Sequence, residues 1–210
     1  MQVYIDYFVN NWQTYFQMVW QHIYISLTAV GLAVVIGVPC GILCLSFPRV
    51  KKFIMTFFST LRIVPSLAVL VILIPVMGIG MKPALTALTV LAVPPVLIQT
   101  TLGFAQVPAF MIETAKAVGM DEKRMFYQVQ FPLAMPYIMG GIKMAASEVI
   151  ASAALAAYIG SGGLGVLIYN GISLMKTEYL VIGAVSVAAL TLLGQLLLGK
   201  IEKWFLKYSM

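Results

Sequence analysis

Residues that could do chemistry are few in this chain. There is one histidine, His22, and two cysteines, Cys40 and Cys44. One histidine cannot make a bis-histidine haem site or a histidine-rich metal centre. Two cysteines four apart in an apolar run read as small packing side chains, not as a metal site or disulfide framework. Three charges stand inside otherwise apolar runs: Arg62, Lys143 and Glu148. The run from Gly194 to Lys200 fits the first part of a phosphate-binding loop. It then places Ile201 where a serine or threonine must reach magnesium, so it is read as chance. Ser161 precedes Gly162, but Tyr158-Ile159-Gly160 comes before it and His22 lies far upstream, so the geometry of an intramembrane serine protease fails.

These residues are embedded in an unusual chain. Of 210 residues, 61% are hydrophobic and 10% charged, and the mean hydropathy is +0.99. Soluble domains are roughly 45–50% apolar and about 25% charged. That composition excludes an ordinary soluble domain, and it excludes disorder, which needs low hydrophobicity and high charge. A bilayer must act as solvent, and the expected class is an all-α integral membrane protein. The net charge of +6 does not indicate nucleic acid, because the cations flank apolar runs and do not form a water-facing patch.

Five runs are apolar enough to span: Ile23 to Phe47, a second from about Phe53 to Lys82, Pro83 to Ala105, Pro136 to Tyr158, and Tyr179 to Gly199. With the N-terminus outside, nine cations fall in the cytoplasm: Arg49, Lys51, Lys52, Lys116, Lys123, Arg124, Lys200, Lys203 and Lys207. Only Lys82 and Lys176 then fall outside, a strong positive-inside bias, and five spans put the C-terminus inside. The first 20 residues carry no cation and are not expected to be a cleavable signal. Tyr4, Phe8, Trp12, Phe16 and Trp20 repeat every four residues, so 1–22 is read as an interfacial helix on the outer surface, with a simple extension of the first span as the alternative. The remainder, 23–210, reads as one transmembrane domain. Pro39, Pro65, Pro75, Pro94 and Pro95 are expected to interrupt the spans. Gly37 and Gly41 form a small-xxx-small pair that permits close helix approach.

Membrane charges are functional by default. Lys143 is expected about 10 Å into its span, near enough to snorkel to the cytoplasm, with Glu148 at about 18 Å and Arg62 at about 14 Å in the second span. Glu148 and Arg62 therefore either pair or line a path, where a carboxylate suits a cationic ammonium solute; a Glu148–Lys143 contact is the other reading. Pro65 and Ser66, just beyond Arg62, read as a gate or as a packing kink. The run Gly160, Ser161, Gly162, Gly163 to Gly165 reads as a tight turn forming an outer gate or receiving a partner, or as a flexible surface loop.

The most informative segment is the loop 107–135. Glu113 to Val118 reads as a short helix, Gly119 as a left-handed stop, Asp121 as the cap of a second helix, and Phe131-Pro132 as an extended exit before Pro136 opens the fourth span. Here the chain resembles the permease subunits of binding-protein-dependent ABC importers. Their signature, E-A-A, three residues, G, nine residues, I-x-L-P, is matched by Glu113, Ala115, Gly119 and Pro132, with Thr114, Val129 and Phe131 as mild departures. The stretches Leu61-Arg-Ile-Val-Pro-Ser-Leu-Ala68 and Ala153 to Gly165 resemble the glycine betaine/carnitine/choline branch.

The resemblance implies a methionine-importer-like (MetI-like) fold with coupling residues Glu113, Ala115, Lys116, Gly119 and Pro132. It also implies two cytoplasmic ATPase subunits, a second permease subunit (identical or paralogous), an extracytoplasmic binding protein, and a bacterial plasma membrane. ATP and magnesium would sit on the partner ATPase, so this chain is expected to be no enzyme and to hold no cofactor. The alternatives are an importer of another solute such as methionine, or an ATP-independent secondary transporter; five spans without visible repeats disfavour the latter.

Overall fold

The computed structural model describes residues 2–206, except the side chains of Val3, Tyr4, Ser46, Pro48, Arg49, Val50, Trp204 and Leu206. Lys207, one of the expected cytoplasmic cations, lies outside the described residues, as do the side chains of Tyr4 and Arg49. The described chain is all helical: α1 (Gln2–Ser46), α2 (Pro48–Leu61), α3 (Ser66–Ile72), α4 (Ile74–Met77), α5 (Met81–Ala105), α6 (Ala109–Ala117), α7 (Glu122–Met125), α8 (Phe131–Ala156), α9 (Gly165–Ser173) and α10 (Thr177–Leu206). A π turn, Phe126–Gln130, joins α7 to α8, and a 3-10 turn, Ala157–Ile159, ends α8.

α5 is the hub. Its Leu88, Ala92, Pro94, Val96 and Leu97 are buried, with α1 on one side and α8 on the other. Small residues let the backbones close, which is how helices associate where lipid removes the hydrophobic drive. A Cβ added to Gly37 would stand 2.9 Å from Val96 Cγ1, and one on Gly41 would stand 2.8 Å from Thr100 Cβ. On the other side, Gly103 faces Tyr137 and Gly141 faces Gln99 at 2.7 and 2.8 Å on the same measure. α10 packs on α8 and α9 and turns an apolar face outward, with Val185, Leu192 and Leu196 exposed.

Four described helices are long and apolar enough to cross a membrane: Ile5–Leu45, Met81–Ala105, the continuous Glu122–Ile159, and Thr177–Lys203. The expected second span is not a straight helix. It is a bent pair, Lys51–Leu61 and Ser66–Met77, meeting at 95°. Pro65 causes the break: it bars the helical conformation at Val64 and itself sits extended, φ −58 and ψ 135. The other prolines do less than expected. α1 runs through Pro39 and α5 through Pro94 and Pro95, while Pro75 falls in the first turn of α4, where no N–H is needed.

α1 is interrupted at Asn11 (φ −129, ψ 16) and not at residue 22. The Asn11 amide donates to the Tyr7 carbonyl at 3.2 Å, competing with the helical ladder. From residue 12 to 46 the helix is about 52 Å long, beyond the roughly 30 Å of bilayer hydrocarbon. Trp12, Phe16 and Trp20 are exposed along its first turns.

Candidate functional site

Three groups of expected site residues lie along the bundle: at the loop end, at mid-depth, and at the opposite, glycine-rich end.

At the loop end, α6 stops because Gly119 is left-handed, φ +80. The Met120 N–H donates to the Ala115 carbonyl at 3.0 Å and the Gly119 N–H to the Lys116 carbonyl at 3.0 Å. These are the paired bonds of a Schellman stop. Asp121 then caps α7, its carboxylate accepting from the Arg124 N–H at 3.1 Å. The expected extended exit at Phe131-Pro132 is absent. Gln130 and Phe131 are helical, and Pro132 lies in the first turn of α8. The missing proline N–H is absorbed by the widened turn before it, where the Phe131 N–H reaches back five residues to the Phe126 carbonyl. α7 and α8 are thus one rod.

Ala115 is buried beneath this knob, whereas Glu113, Lys116 and Gly119 are exposed and Pro132 is half-buried. Three exposed apolar side chains that sequence reasoning did not single out, Phe110, Val118 and Tyr127, also face outward. Concavities of about 540 Å³ and 630 Å³ share Lys123 and Tyr127 as walls. Phe126 stacks on Phe104 at the end of α5, with centroids 5.5 Å apart and planes 8° apart, and Phe131 lies 6.1 Å from Phe126. The knob is therefore fastened to both central helices.

At mid-depth, Arg62, Gly140, Lys143, Met144, Ser147, Glu148 and Gln195 line an open cleft of about 660 Å³. Because α8 starts at Phe131 and not at Pro136, Lys143 lies about 18 Å and Glu148 about 26 Å from its first residue. Lys143 does not pair with Glu148. Its Nζ bonds Glu202 Oε2 at 2.8 Å, near the C-terminal end of α10. Among the described residues this is the only ion pair, so Arg62 and Glu148 share a cleft without touching. The Gln195 amide donates to the Lys143 carbonyl at 2.9 Å and to Ser147 Oγ. Arg62 caps the end of α2, at the 95° break, with Pro65 exposed and Ser66 half-buried just beyond.

At the glycine end, Gly160, Gly162 and Gly163 are all left-handed, φ +78 to +83, so this turn demands glycine. The turn is pinned on two sides. The Gly163 N–H donates to Gln21 Oε1 of α1 at 3.1 Å, and the Gly80 N–H donates to the Ile159 carbonyl at 2.7 Å. Ser161 is buried, whereas Gly160 is exposed. The buried His22 ring donates through Nε2 to the Ile150 carbonyl at 3.0 Å, beside Gly163. No sequence signal marks Gln21 or Gly80 as members of this junction. Among the described residues no cluster of His, Cys, Asp or Glu could hold a metal.

A family model described as the binding-protein-dependent transport system inner membrane component matches residues 33–207. The carnitine transport permease protein OpuCB of Listeria monocytogenes is 39% identical over 202 residues, covering 96% of this chain and 93% of its own. The glycine betaine/carnitine/choline transport system permease protein OpuCB of Bacillus subtilis is 36% identical over 183 residues, covering 87% and 84%. Among solved structures, an inward-facing form of the MetNI methionine ABC transporter superimposes with a TM-score of 0.81 at 21% identity, over 91% of this chain and 95% of that one, which establishes the shared fold.

Proposed function

Because the chain belongs to the binding-protein-dependent transport system inner membrane component family, we propose that it is the permease subunit of an ATP-driven importer of quaternary-ammonium osmoprotectants such as glycine betaine, carnitine and choline. It is a multi-pass protein of the bacterial plasma membrane. Its relatives' names support this solute class over methionine, since the likeness to the methionine transporter is one of fold.

The observation that carries the mechanism is the loop 107–135: a rigid, charged knob with exposed Phe110, Val118 and Tyr127, stacked onto α5 and continuous with α8. In the proposed working state the N-terminus and the glycine end face outward, the bent α2–α4 pair completes five spans, and the knob faces the cytoplasm. There Glu113, Ala115, Lys116, Gly119 and Pro132 form or support a contact with one of two ATPase subunits. ATP and magnesium bind those subunits. When they close, the knob moves as a unit and swings α5 and α8 about their junction at Gly80, Ile159 and Gly163, exchanging one packed arrangement for another. The glycine turn of residues 160–163 forms the outer gate, where an extracytoplasmic binding protein delivers solute to a dimer of permeases, and Pro65 and Ser66 form a gate deeper in the bundle, at the break of the second span.

The test is reconstitution of the chain with its ATPase and binding protein in liposomes. Uptake of radiolabelled glycine betaine is expected only with internal ATP and all partners present. Uptake driven without ATP or without the ATPase would replace this reading with a secondary transporter.

A further inference from the structure

We propose that the mid-depth cleft is a transit site for a zwitterion, in which Glu148 faces the quaternary ammonium and Arg62 the carboxylate of a betaine. This rests on the osmoprotectant reading and assigns the residues that would meet the solute.

Lys143 is neutralised by Glu202, and Ser147 is bonded by the Gln195 amide, which also occupies the Lys143 carbonyl. What remains are one guanidinium and one carboxylate that line the same cleft without an ion pair between them. Unpaired charges at membrane depth are expensive and mark solute paths. The backbone points the same way. α2 breaks at 95° beside Arg62, and non-helical backbone at membrane depth is tolerated only where protein or a water-filled cavity surrounds it. A quaternary ammonium has no N–H to donate, so it needs a carboxylate as counter-charge. The planar guanidinium fork of an arginine matches a carboxylate. With Lys143 neutralised by Glu202, the charges at the cleft sum to zero, so a zwitterion enters without adding net charge. A plain cation leaves Arg62 unanswered.

The proposal is tested by saturation-transfer NMR on the permease–ATPase complex in nanodiscs, with the N-methyl signals of glycine betaine (a zwitterion) and choline (a cation) as probes. In the unaltered complex, glycine betaine is expected to give the stronger transfer. Arg62→Gln should lower the betaine-to-choline ratio at least fivefold. Glu148→Gln should depress both signals and hold the ratio within about threefold. A ratio is insensitive to partial loss of folded complex, which scales both probes together. Absence of glycine betaine transfer in the unaltered complex, or a ratio unmoved by Arg62→Gln, overturns the proposal. If liposome uptake is ATP-driven while these NMR results fail, the transit site falls and the importer stands. If uptake needs no ATP, the importer falls first.

Discussion

Gly119 and Gly41 are both needed as glycine, for opposite reasons. A Cβ on Gly119 would meet nothing within 4 Å, but φ is +80. A side chain there strains the backbone by about 1 kcal/mol without touching a neighbour. Gly41 is an ordinary helical residue whose Cβ would stand 2.8 Å from Thr100 Cβ and 2.9 Å from the Leu97 carbonyl. Alanine there wedges α1 off α5 at about 1–3 kcal/mol. Gly119→Ala should therefore lower ATP-driven uptake while moving the thermal midpoint of the purified chain less than Gly41→Ala does. Gly41→Ala should lower the midpoint itself. Thermal unfolding in detergent, set beside liposome uptake, separates the two; equal midpoints would refute the packing account of Gly41. Sequence could suggest both glycines, since one ends a helical stretch and the other belongs to a four-residue repeat. It could not suggest that Ser161, beside three left-handed glycines, would be buried, because that depends on how the turn packs in the fold, where α1 reaches it through the Gln21–Gly163 bond.

At the scale of elements, the knob and the bundle are joined by three phenylalanines. Phe126 and Phe131 bracket the π turn, and Phe104 ends α5. Each such ring pair contributes about 1 kcal/mol beyond its buried area. Phe126→Ala should loosen the joint, so that ATP hydrolysis continues while solute carried per ATP falls severalfold. Tyr127→Ala, one residue on and exposed, should instead weaken binding of the ATPase subunit. Measuring both hydrolysis and uptake decides, and a loss of hydrolysis in Phe126→Ala equal to the loss of uptake would argue against a mechanical joint. The short helices, the Gly119 stop and the Asp121 cap were legible in the sequence because each rests on local backbone chemistry. The continuous α7–α8 rod was not. Pro132 reads as a terminator unless the preceding turn widens, and the widened turn packs against the Phe104 ring brought from α5. The Lys143–Glu202 pair was hidden for a similar reason: its partners are 59 residues apart, and only the packing of α10 on α8 joins them.

For the whole molecule, composition alone dictated a membrane protein, and the positive-inside rule predicts an orientation. The knob and the α9–α10 turn should therefore lie on opposite faces of the bilayer. Met175, 89% exposed, and Val118, 67% exposed, are suitable markers. With Cys40 and Cys44 replaced, Met175→Cys should react with a membrane-impermeant thiol reagent on intact cells, and Val118→Cys only after permeabilisation. The reverse pattern would invert the proposed orientation and remove the knob from the side where ATP is found. The sharpness of the bend at Pro65 was not legible in the sequence, because hydropathy registers apolar residues whether they continue straight or turn.

The widened turn between Phe126 and Gln130 holds one more residue than an ordinary turn in the same angular space. The chain is thus one link longer there than its geometry requires. Removing Val129 should let the rod relax into regular helix with its two ends still clocked alike. Removing Ala117 from α6 has no such slack to draw on and rotates what precedes it by about 100°. The first deletion should preserve ATP-driven uptake and the second abolish it, so that tolerance to shortening becomes a map of where this machine keeps its play.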